Sequence, residues 1–371
     1  MPRRGFQARL IAFPALYNAA NAVYQGYMSL YWKSLGFSDG ALGALSAAAS
    51  VSAIAAQPIW GRVGDRTRSR RNLLKLLSLG AVAAMLPALA GSGFPLQMLS
   101  SALFYAFFSA ILPLSDSILL EHGGFGGCRL AGGLSFALAG LLFGALRLSP
   151  RAVVWATGAL LTLAAIASRL LPASPGKGTG RAAMLQLLKN RELVRLLLFL
   201  LPVQATMGCY YAFYAPRMQA LGGSGTELGA AYLIASISEA PYLLCSEGVY
   251  RRFGAAKPMC AAACMLALRW TLTGFAASPV AAIAAQALHG GGLTVLSVSM
   301  ARWIGENVPE ECAASGQTLL NLVAFGASRA LGSLGGGWIA DRFGIRTAFL
   351  ICAGVCAASA LIFAPHALRK R

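Results

Sequence analysis

The sequence predicts an all-α membrane protein built from twelve transmembrane helices in two pseudo-symmetric six-helix bundles. Three observations lead to this fold class. The chain of 371 residues is 57% hydrophobic and only 12% charged, about half the charged fraction of a soluble domain. Its apolar residues form separate segments close to the ~20 residues that cross a bilayer. The second half of the chain also repeats features of the first half.

The apolar segments number twelve and follow one another along the chain. They lie at 8–32, 41–60, 72–92, 95–121, 129–147, 150–170, 193–217, 226–247, 257–277, 279–303, 314–340 and 347–365. An even number of spans puts both termini on one side, and only six of the 31 Lys and Arg residues lie in the connections on the other side. The positive-inside rule therefore predicts cytoplasmic termini. We expect a multi-pass protein of the bacterial inner membrane that functions as a monomer.

The midpoint of the chain lies in a Pro/Gly-rich stretch, PASPGKGTG, after the sixth segment. Such composition is typical of a linker, so we expect bundles over 1–171 and 191–371 joined by a cytoplasmic linker over 172–190. An offset of 186 residues aligns LGFSDGALGA (35–44) with LGGSGTELGA (221–230). Parallel repeats of this kind are typical of transporters whose two halves both line the transport site.

The same offset aligns the polar faces of the first and seventh segments. It places Asn18, Asn21, Gln25 and Met28 on Gln204, Met207, Tyr211 and Tyr214. Spacings of three and four residues keep each set on one helix face. Both faces are therefore expected to line a shared cavity.

The composition also argues against other classes of protein. The net charge is +19, but the basic residues flank apolar segments instead of forming one aromatic-laced patch, so we expect no nucleic-acid partner. The eight cysteines show no zinc-type pairing with histidine. The sequence also contains no evident nucleophile–base pair or phosphate-binding loop. We expect no metal, no cofactor and no enzymatic activity. The expected partners are a small-molecule substrate, protons and the lipid bilayer.

The connection between the second and third segments reads GRVGDRTRSRR (61–71). It resembles the signature G-x-x-x-D-R-x-x-R-R of the major facilitator superfamily, with one extra residue before the final pair. The resemblance implies a charged latch that closes the cytoplasmic side in one conformation, and the glycine is expected to let the second span pack closely. The alternative is that the arginines only enforce topology. The candidate gating residues are Gly61, Asp65, Arg66, Arg70 and Arg71.

Six ionisable residues lie inside the predicted spans. They are Asp116, Arg129, Glu239, Arg269, His289 and Arg329. Intramembrane charges are costly and usually functional. Their order predicts two acid–base pairs, Asp116 with Arg129 and Glu239 with Arg269, which could also be structural ion pairs that hold helices together. Arg329 has no evident acidic partner, and an anionic substrate or a local acceptor would neutralise it.

Aromatic and polar side chains accompany these charges, and their density suits an aromatic ligand. The candidate substrate-binding residues without charge are Asn21, Tyr24, Tyr105, Phe136, Tyr211, Tyr214, Trp270, Gln286 and Asn321.

Several short motifs also resemble the 3-phenylpropionate permease group, a relative of lactose permease. They are PLSDSILL (113–120), GGCRLAGG (126–133), YLIASISEAPYLL (232–244), LRWTLTG (268–274) and QALHGGGLTVLSVSMARWI (286–304). The resemblance implies proton-coupling roles for Asp116, Glu239 and His289, and substrate- and proton-coupling roles for Arg129 and Arg269. Lactose permease has a second acid where this chain has Gly292, and a sugar-stacking tryptophan where it has Phe136. Both differences favour a phenylpropionate-like substrate over a lactose-like sugar.

The resulting hypothesis is proton symport of an aromatic monocarboxylate by alternating access. Arg129 or Arg269 would hold the substrate carboxylate, and protonation of Glu239 would release Arg269 from its internal partner. The alternatives are proton symport of a sugar or nucleoside, drug/proton antiport, and a transporter-like sensor that binds ligand without accumulating it.

Overall fold

The computed structural model describes residues 4–122, 125–175 and 187–369, and every regular element in these ranges is helical. Contacts divide the chain into two compact units, Met1–Thr179 and Gly180–Arg371. In the first unit, the described helices are α1 (Arg4–Ser34), α2 (Asp39–Arg66), α3 (Arg70–Ala83), α4 (Leu86–Ala90), α5 (Phe94–Phe108), α6 (Ile111–Glu121), α7 (Phe125–Ala145) and α8 (Ala152–Ala167), with a 3-10 turn at Ser168–Leu170.

The second unit is also helical throughout its described residues. Its α-helices are α9 (Arg191–Ala220), α10 (Gly225–Phe253), α11 (Ala256–Phe275), α12 (Pro279–Ala284), α13 (His289–Asn307), α14 (Glu310–Asn321) and α15 (Ser328–Arg369). A 3-10 turn, Ala285–Leu288, joins α12 to α13, and a π-helix, Leu322–Ala327, joins α14 to α15. Most of the predicted linker, 176–186, lies outside the described residues.

Nine helical stretches within the described ranges are long and apolar enough to cross a membrane. They are Asp39–Arg66, Arg70–Ala90, Phe94–Glu121, Gly127–Ala145, Ala152–Leu170, Arg191–Ala220, Gly225–Phe253, Pro279–Asn307 and Ser315–Leu368. The predicted eleventh and twelfth segments fall in the last of these, which turns at Gly344 (φ 83°, ψ 155°). The helices α1 and α11 are not among these nine stretches; α1 carries several amides and α11 carries Arg269. The count of twelve spans stays a prediction.

The sequence repeat corresponds to two equivalent helix starts. Ser38 Oγ accepts a hydrogen bond from the Ala41 amide at the start of α2, and Ser224 forms a capping box with Glu227 at the start of α10. Such caps satisfy amides that have no partner within the helix. Gly36 and Gly222 precede them with φ of 86° and 79°, a backbone region that favours glycine. The repeated motif therefore encodes the turn and cap that begin the second helix of each unit.

Side-chain to backbone hydrogen bonds join helices within the first unit. Tyr27 in α1 donates to the Gly140 carbonyl of α7 at 2.7 Å, and Tyr31 donates to the Ala88 carbonyl of α4 at 2.9 Å. Trp60 in α2 donates to the Ala106 carbonyl of α5 at 2.7 Å. Because these donors are largely removed from water, pairing them avoids an unsatisfied polar group.

Glycines allow two very close helix contacts in the second unit. A Cβ atom on Gly332 of α15 would lie 1.7 Å from the Ala205 carbonyl oxygen of α9. One on Gly290 of α13 would lie 2.1 Å from the Ser238 carbonyl oxygen of α10. Membrane helices commonly use small residues to bring backbones together in this way. These contacts fix α15 against α9 and α13 against α10, the helices that carry most of the candidate site.

Candidate functional site

Arg269 lies fully enclosed in the second unit, with 0% of its surface exposed. Its guanidinium donates a short hydrogen bond to Gln286 Oε1 and lies against the rings of Tyr210 and Trp270, at 4.3 and 4.4 Å from their centroids. Gln286 also accepts from the Tyr210 hydroxyl at 3.3 Å and donates to the Ala282 carbonyl at 3.2 Å. The charge is therefore held by a neutral acceptor and two aromatic faces.

The predicted ion pair between Glu239 and Arg269 is wrong. The 3-10 turn Ala285–Leu288 carries Gln286 to the guanidinium edge that the prediction assigned to the acid. Glu239 pairs instead with His289, and its Oε1 lies 3.5 Å from His289 Nε2. Both observed partners, Gln286 and His289, belong to the tenth predicted segment, and the order of the charges along the chain did not indicate this.

Glu239 and His289 form an acid–imidazole pair between α10 and α13. The Glu239 side chain is 37% exposed, whereas that of His289 is 7% exposed. The Gly290 amide donates to Ser238 Oγ at 2.9 Å, which together with the close approach of Gly290 holds the two helices in register. His289 Nδ1 is buried and has no hydrogen-bond partner among the described residues. The carboxylate of Glu239 is therefore the accessible end of the pair, and the imidazole of His289 is the buried end.

Trp270 and Tyr214, both predicted substrate contacts, are fully buried in the second unit. Trp270 Nε1 donates to Thr206 Oγ1 at 2.9 Å, and the Tyr214 hydroxyl donates to the Ala282 carbonyl at 3.1 Å. Both polar ends are satisfied inside the unit. In this arrangement, neither side chain offers a surface to a ligand.

A second aromatic-bound arginine lies at the junction of the π-helix and α15. The Arg329 guanidinium lies 4.4 Å from the Tyr211 ring centroid and 5.2 Å from that of Phe325. Tyr211 is half-buried. Asn321, four residues before Phe325, is exposed. The predicted substrate residue Tyr211 therefore lies beside a charge that the sequence prediction left without a partner.

The predicted pair between Asp116 and Arg129 in the first unit is confirmed. Arg129 Nη1 lies 3.1 Å from Asp116 Oδ2, and the side chains are 60% and 25% exposed. The pair joins α6 to α7 and is far more accessible than Arg269. It is electrically neutral because a permanent cation balances the acid.

The first unit also places its predicted aromatic residues together. Tyr24 is buried and stacks on Phe104 with centroids 4.0 Å apart, and the half-buried Tyr105 meets Tyr24 edge-on at 5.7 Å. Asn21, one turn earlier on α1, accepts a hydrogen bond from Gln25 at 2.6 Å. Phe136 is half-buried on α7 and lies on the same helix face as Arg129, two turns later. These contacts make an aromatic wall along α1 and α5.

The predicted gating residue Arg70 is buried and holds three segments of the first unit together. Its guanidinium donates to Glu121 Oε1 at 2.9 Å, to Ser117 Oγ at 3.2 Å and to the Pro175 carbonyl at 2.6 Å. Arg71 donates to the Leu171 carbonyl at 3.3 Å, whereas Arg66 is exposed and Asp65 half-buried. Sequence reasoning missed Glu121, the last residue of α6.

The expected packing role of Gly61 is wrong. Gly61 is exposed, and a Cβ atom added to it would meet nothing within 4 Å. The buried glycine near the end of α2 is Gly64, where an added Cβ atom would lie 3.5 Å from Leu114 Cδ1. The signature's first glycine therefore does not bring the end of α2 against a neighbour here.

The arrangement is that of a helical membrane protein with charged groups held inside its bundles, and comparison with known proteins agrees. The model of the family described as "MFS_1 like family" matches residues 8–351. The chain belongs to this family. It is therefore a major facilitator superfamily transporter, a multi-pass membrane protein that handles small molecules, and not an enzyme.

Two curated relatives of this MFS transporter cover most of its length. It is 30% identical to a maltose permease of Geobacillus stearothermophilus, over 99% of this chain and 97% of the relative. It is 27% identical to a probable 3-phenylpropionic acid transporter of Escherichia coli, over 87% and 88% of the two chains. The suspected relationship to the 3-phenylpropionate permease group is thus confirmed at the level of the family.

Solved structures agree with the fold. The nucleoside transporter NupG matches with a TM-score of 0.87 at 17% identity, over 97% of this chain and 99% of that chain. A bacterial homologue of the human lysosomal transporter Spinster matches with a TM-score of 0.76 at 15% identity, over 100% and 98% of the two chains. At these identities, the likeness concerns the fold alone.

Proposed function

We propose that this transporter imports a small organic anion together with a proton by alternating access, and that the substrate is an aromatic monocarboxylate. The observation that carries the proposal is the pair formed by Glu239 and His289. Within the described residues, this acid has no arginine or lysine partner, and its neighbour is an imidazole. The predicted topology, twelve spans with a linker over 172–190, cytoplasmic termini and a functional monomer, belongs to the same proposal.

An acid beside an imidazole can exchange a proton, whereas an acid bound to arginine stays ionised. Histidine titrates close to physiological pH when unperturbed, and arginine keeps its proton throughout. Arg269, the cation expected at Glu239, is held by Gln286. Proton exchange therefore changes the charge of the Glu239–His289 pair without breaking a salt bridge to arginine.

The charge of this pair would couple the proton to an anionic substrate. With the pair deprotonated, an ionised Glu239 would repel a substrate carboxylate. For two charges about 8 Å apart, the repulsion is about 2 kcal/mol at an effective dielectric constant of about 20. Binding a proton removes this repulsion, and losing the proton inside restores it. Substrate and proton then favour each other's binding reciprocally, as a symporter requires.

An aromatic substrate is supported by the residues around Arg329 and Arg129. Tyr211 and Phe325 lie against Arg329, and Arg129 and Phe136 share one face of α7. Arginine beside aromatic rings suits a ligand that carries a carboxylate on a flat apolar body. The relative named as a probable 3-phenylpropionic acid transporter is consistent with this chemistry.

The second candidate is proton symport of a sugar. The observation in its favour is the 30% identity to a maltose permease over nearly the whole chain. The accessible pair of Asp116 and Arg129 could hydrogen-bond sugar hydroxyl groups through both charged side chains. The predicted nucleoside and drug substrates have no comparable support in the site.

Uptake by proteoliposomes tests both candidates. The purified full chain would be reconstituted, an acid-outside pH gradient imposed, and labelled 3-phenylpropionate, maltose and uridine supplied in turn. Uptake by protein-free vesicles is subtracted, because the neutral form of an aromatic acid crosses lipid unaided. We expect accumulation of the aromatic acid that a protonophore abolishes. Maltose accumulation instead would establish the second candidate, and uptake that is insensitive to the gradient would overturn proton coupling.

A further inference from the structure

We propose that Arg329 binds the carboxylate of the transported substrate, which makes the junction of the π-helix and α15 the anion subsite of this transporter. The inference rests on the proposed function, because it takes the substrate to be an organic anion. It assigns carboxylate binding to an arginine other than Arg129 and Arg269, the two that the sequence motifs favour.

The contacts of Arg329 leave its hydrogen-bonding edge free. Its guanidinium lies against the rings of Tyr211 and Phe325, at 4.4 and 5.2 Å from their centroids. Aromatic rings bind the face of a guanidinium, whereas its five N–H donors point outward in the plane. Within the described part of the chain, none of these donors has a hydrogen-bond or carboxylate partner. A carboxylate fits such an edge with two parallel hydrogen bonds.

Arg269 shows the same environment with a side chain of the protein on the hydrogen-bonding edge. Both arginines lie against two aromatic rings, but the edge of Arg269 is occupied by Gln286, and the whole group is sealed from solvent. Arg329 is half-buried, and Phe325 beside it is 38% exposed. Since an unbalanced charge in a membrane segment is costly, the open edge of Arg329 calls for an anion from outside the chain.

The backbone around Arg329 is fixed by close contact with α9. A Cβ atom on Gly208 would lie 2.5 Å from the Arg329 carbonyl oxygen, and one on Gly332 would lie 1.7 Å from the Ala205 carbonyl oxygen. The π-helix Leu322–Ala327 ends just before the arginine, and such short π segments recur at functional sites. Ser328, between them, is fully buried, and its hydroxyl lacks a partner among the described residues.

The rings also indicate what the anion carries. A ligand whose carboxylate lies on the Arg329 edge places its body beside Tyr211 and the exposed part of Phe325. Offset stacking on such rings favours a planar aromatic group. The subsite therefore fits an aryl carboxylate with a short spacer better than an inorganic anion or a lipid phosphate.

Equilibrium binding without a proton gradient tests the subsite. The purified full chain would be titrated with 3-phenylpropionate and with 3-phenylpropanamide, which keeps the ring and removes the charge. We expect the unaltered chain to prefer the acid by at least tenfold, and Arg329→Gln to lose that preference while its amide affinity stays unchanged. Arg329→Lys keeps the positive charge but not the paired donors of the guanidinium, and it should retain part of the preference for the acid. It also tests the subsite if the glutamine variant does not fold.

The control is Arg342→Gln. Arg342 lies on the same helix, 4.5 Å from the ring centroid of Trp338. Trp338 precedes it by four residues, as Phe325 precedes Arg329. Arg342 is exposed and lies outside the site. It should bind both ligands as the unaltered chain does. Equal loss of acid and amide binding in the Arg329 variants, or an unchanged preference for the acid, overturns the subsite, as does displacement by anionic lipid vesicles alone. If the unaltered chain binds no aromatic acid, the proposed substrate class fails.

Discussion

Asp116 in the first unit and Glu239 in the second are both acids inside predicted membrane spans, but they have different neighbours. In the first unit, Asp116 lies 3.1 Å from Arg129, whose side chain is 60% exposed. In the second, Glu239 lies 3.5 Å from His289, and the arginine that the sequence pairs with it is bound to Gln286. One acid is balanced by a permanent cation, and the other by a group that can gain or lose a proton.

This difference assigns separate tasks to two superficially similar sites. A neighbouring arginine favours the ionised form of an acid, so such a pair opposes the binding of a proton. An acid–imidazole pair changes its charge by one when a proton binds. We therefore expect proton coupling to depend on the second unit, and the pair in the first unit to contribute polar contacts only.

Loss of Gln286 should have the largest effect on stability. Gln286→Leu removes the acceptor that holds Arg269 and leaves a buried charge without a partner, at a cost of about 3–5 kcal/mol. The variant should show a strongly lowered unfolding temperature in detergent. Gln286→Glu, which keeps an acceptor at the same position, is the matched control. A leucine variant as stable as the unaltered chain would mean that Arg269 does not need Gln286.

Gly290→Ala should have the next largest effect. The added methyl group would lie 2.1 Å from the Ser238 carbonyl oxygen, so α13 must move away from α10 at a cost of about 1–3 kcal/mol or more. That movement would separate His289 from Glu239, and proton-driven uptake should fall together with the unfolding temperature.

Gly61→Ala provides the comparison for this variant, because nothing lies within 4 Å of the added atom. Its stability should be unchanged or higher by up to about 1 kcal/mol, because alanine is the better helix former. Equal effects of the two alanines would show that the close contact at Gly290 does not hold the pair together.

Arg129→Gln should have the smallest effect on stability. An exposed ion pair contributes about 0–1 kcal/mol, so the unfolding temperature should change little. Proton dependence of uptake should persist, since Asp116 is not the proton carrier in this account. A shift of several degrees, or loss of the pH dependence, would instead give the first unit a part in coupling.

The sequence predicted the elements of the fold better than the partners of its charges. Apolar segment length predicted the helices, because it is a local property of the chain. The repeat was visible in the sequence, but the caps at Ser38 and Ser224 that it encodes were found only in the structure. The pair of Asp116 and Arg129 was also predicted, and its two residues lie only 13 positions apart in the chain. These features depend on neighbours that the sequence itself brings close.

The partners of Arg269 and Arg70 could not be read from the sequence. Gln286 reaches Arg269 only because a 3-10 turn carries it there, and Arg70 meets Glu121 and Pro175 because three distant segments converge. Neither arrangement leaves a periodic signal. In both cases, the sequence indicated an arginine with a function and the packing decided what it binds.

The most direct test of the account compares Glu239→Gln with Asp116→Asn in proteoliposomes. Two quantities are measured with the transported substrate: accumulation under an imposed proton gradient, and exchange of labelled for unlabelled substrate without a gradient. We predict that accumulation by the Glu239→Gln variant falls at least tenfold while its exchange of labelled for unlabelled substrate persists. Asp116→Asn should keep gradient-driven accumulation. Wild-type accumulation by the Glu239→Gln variant would contradict it.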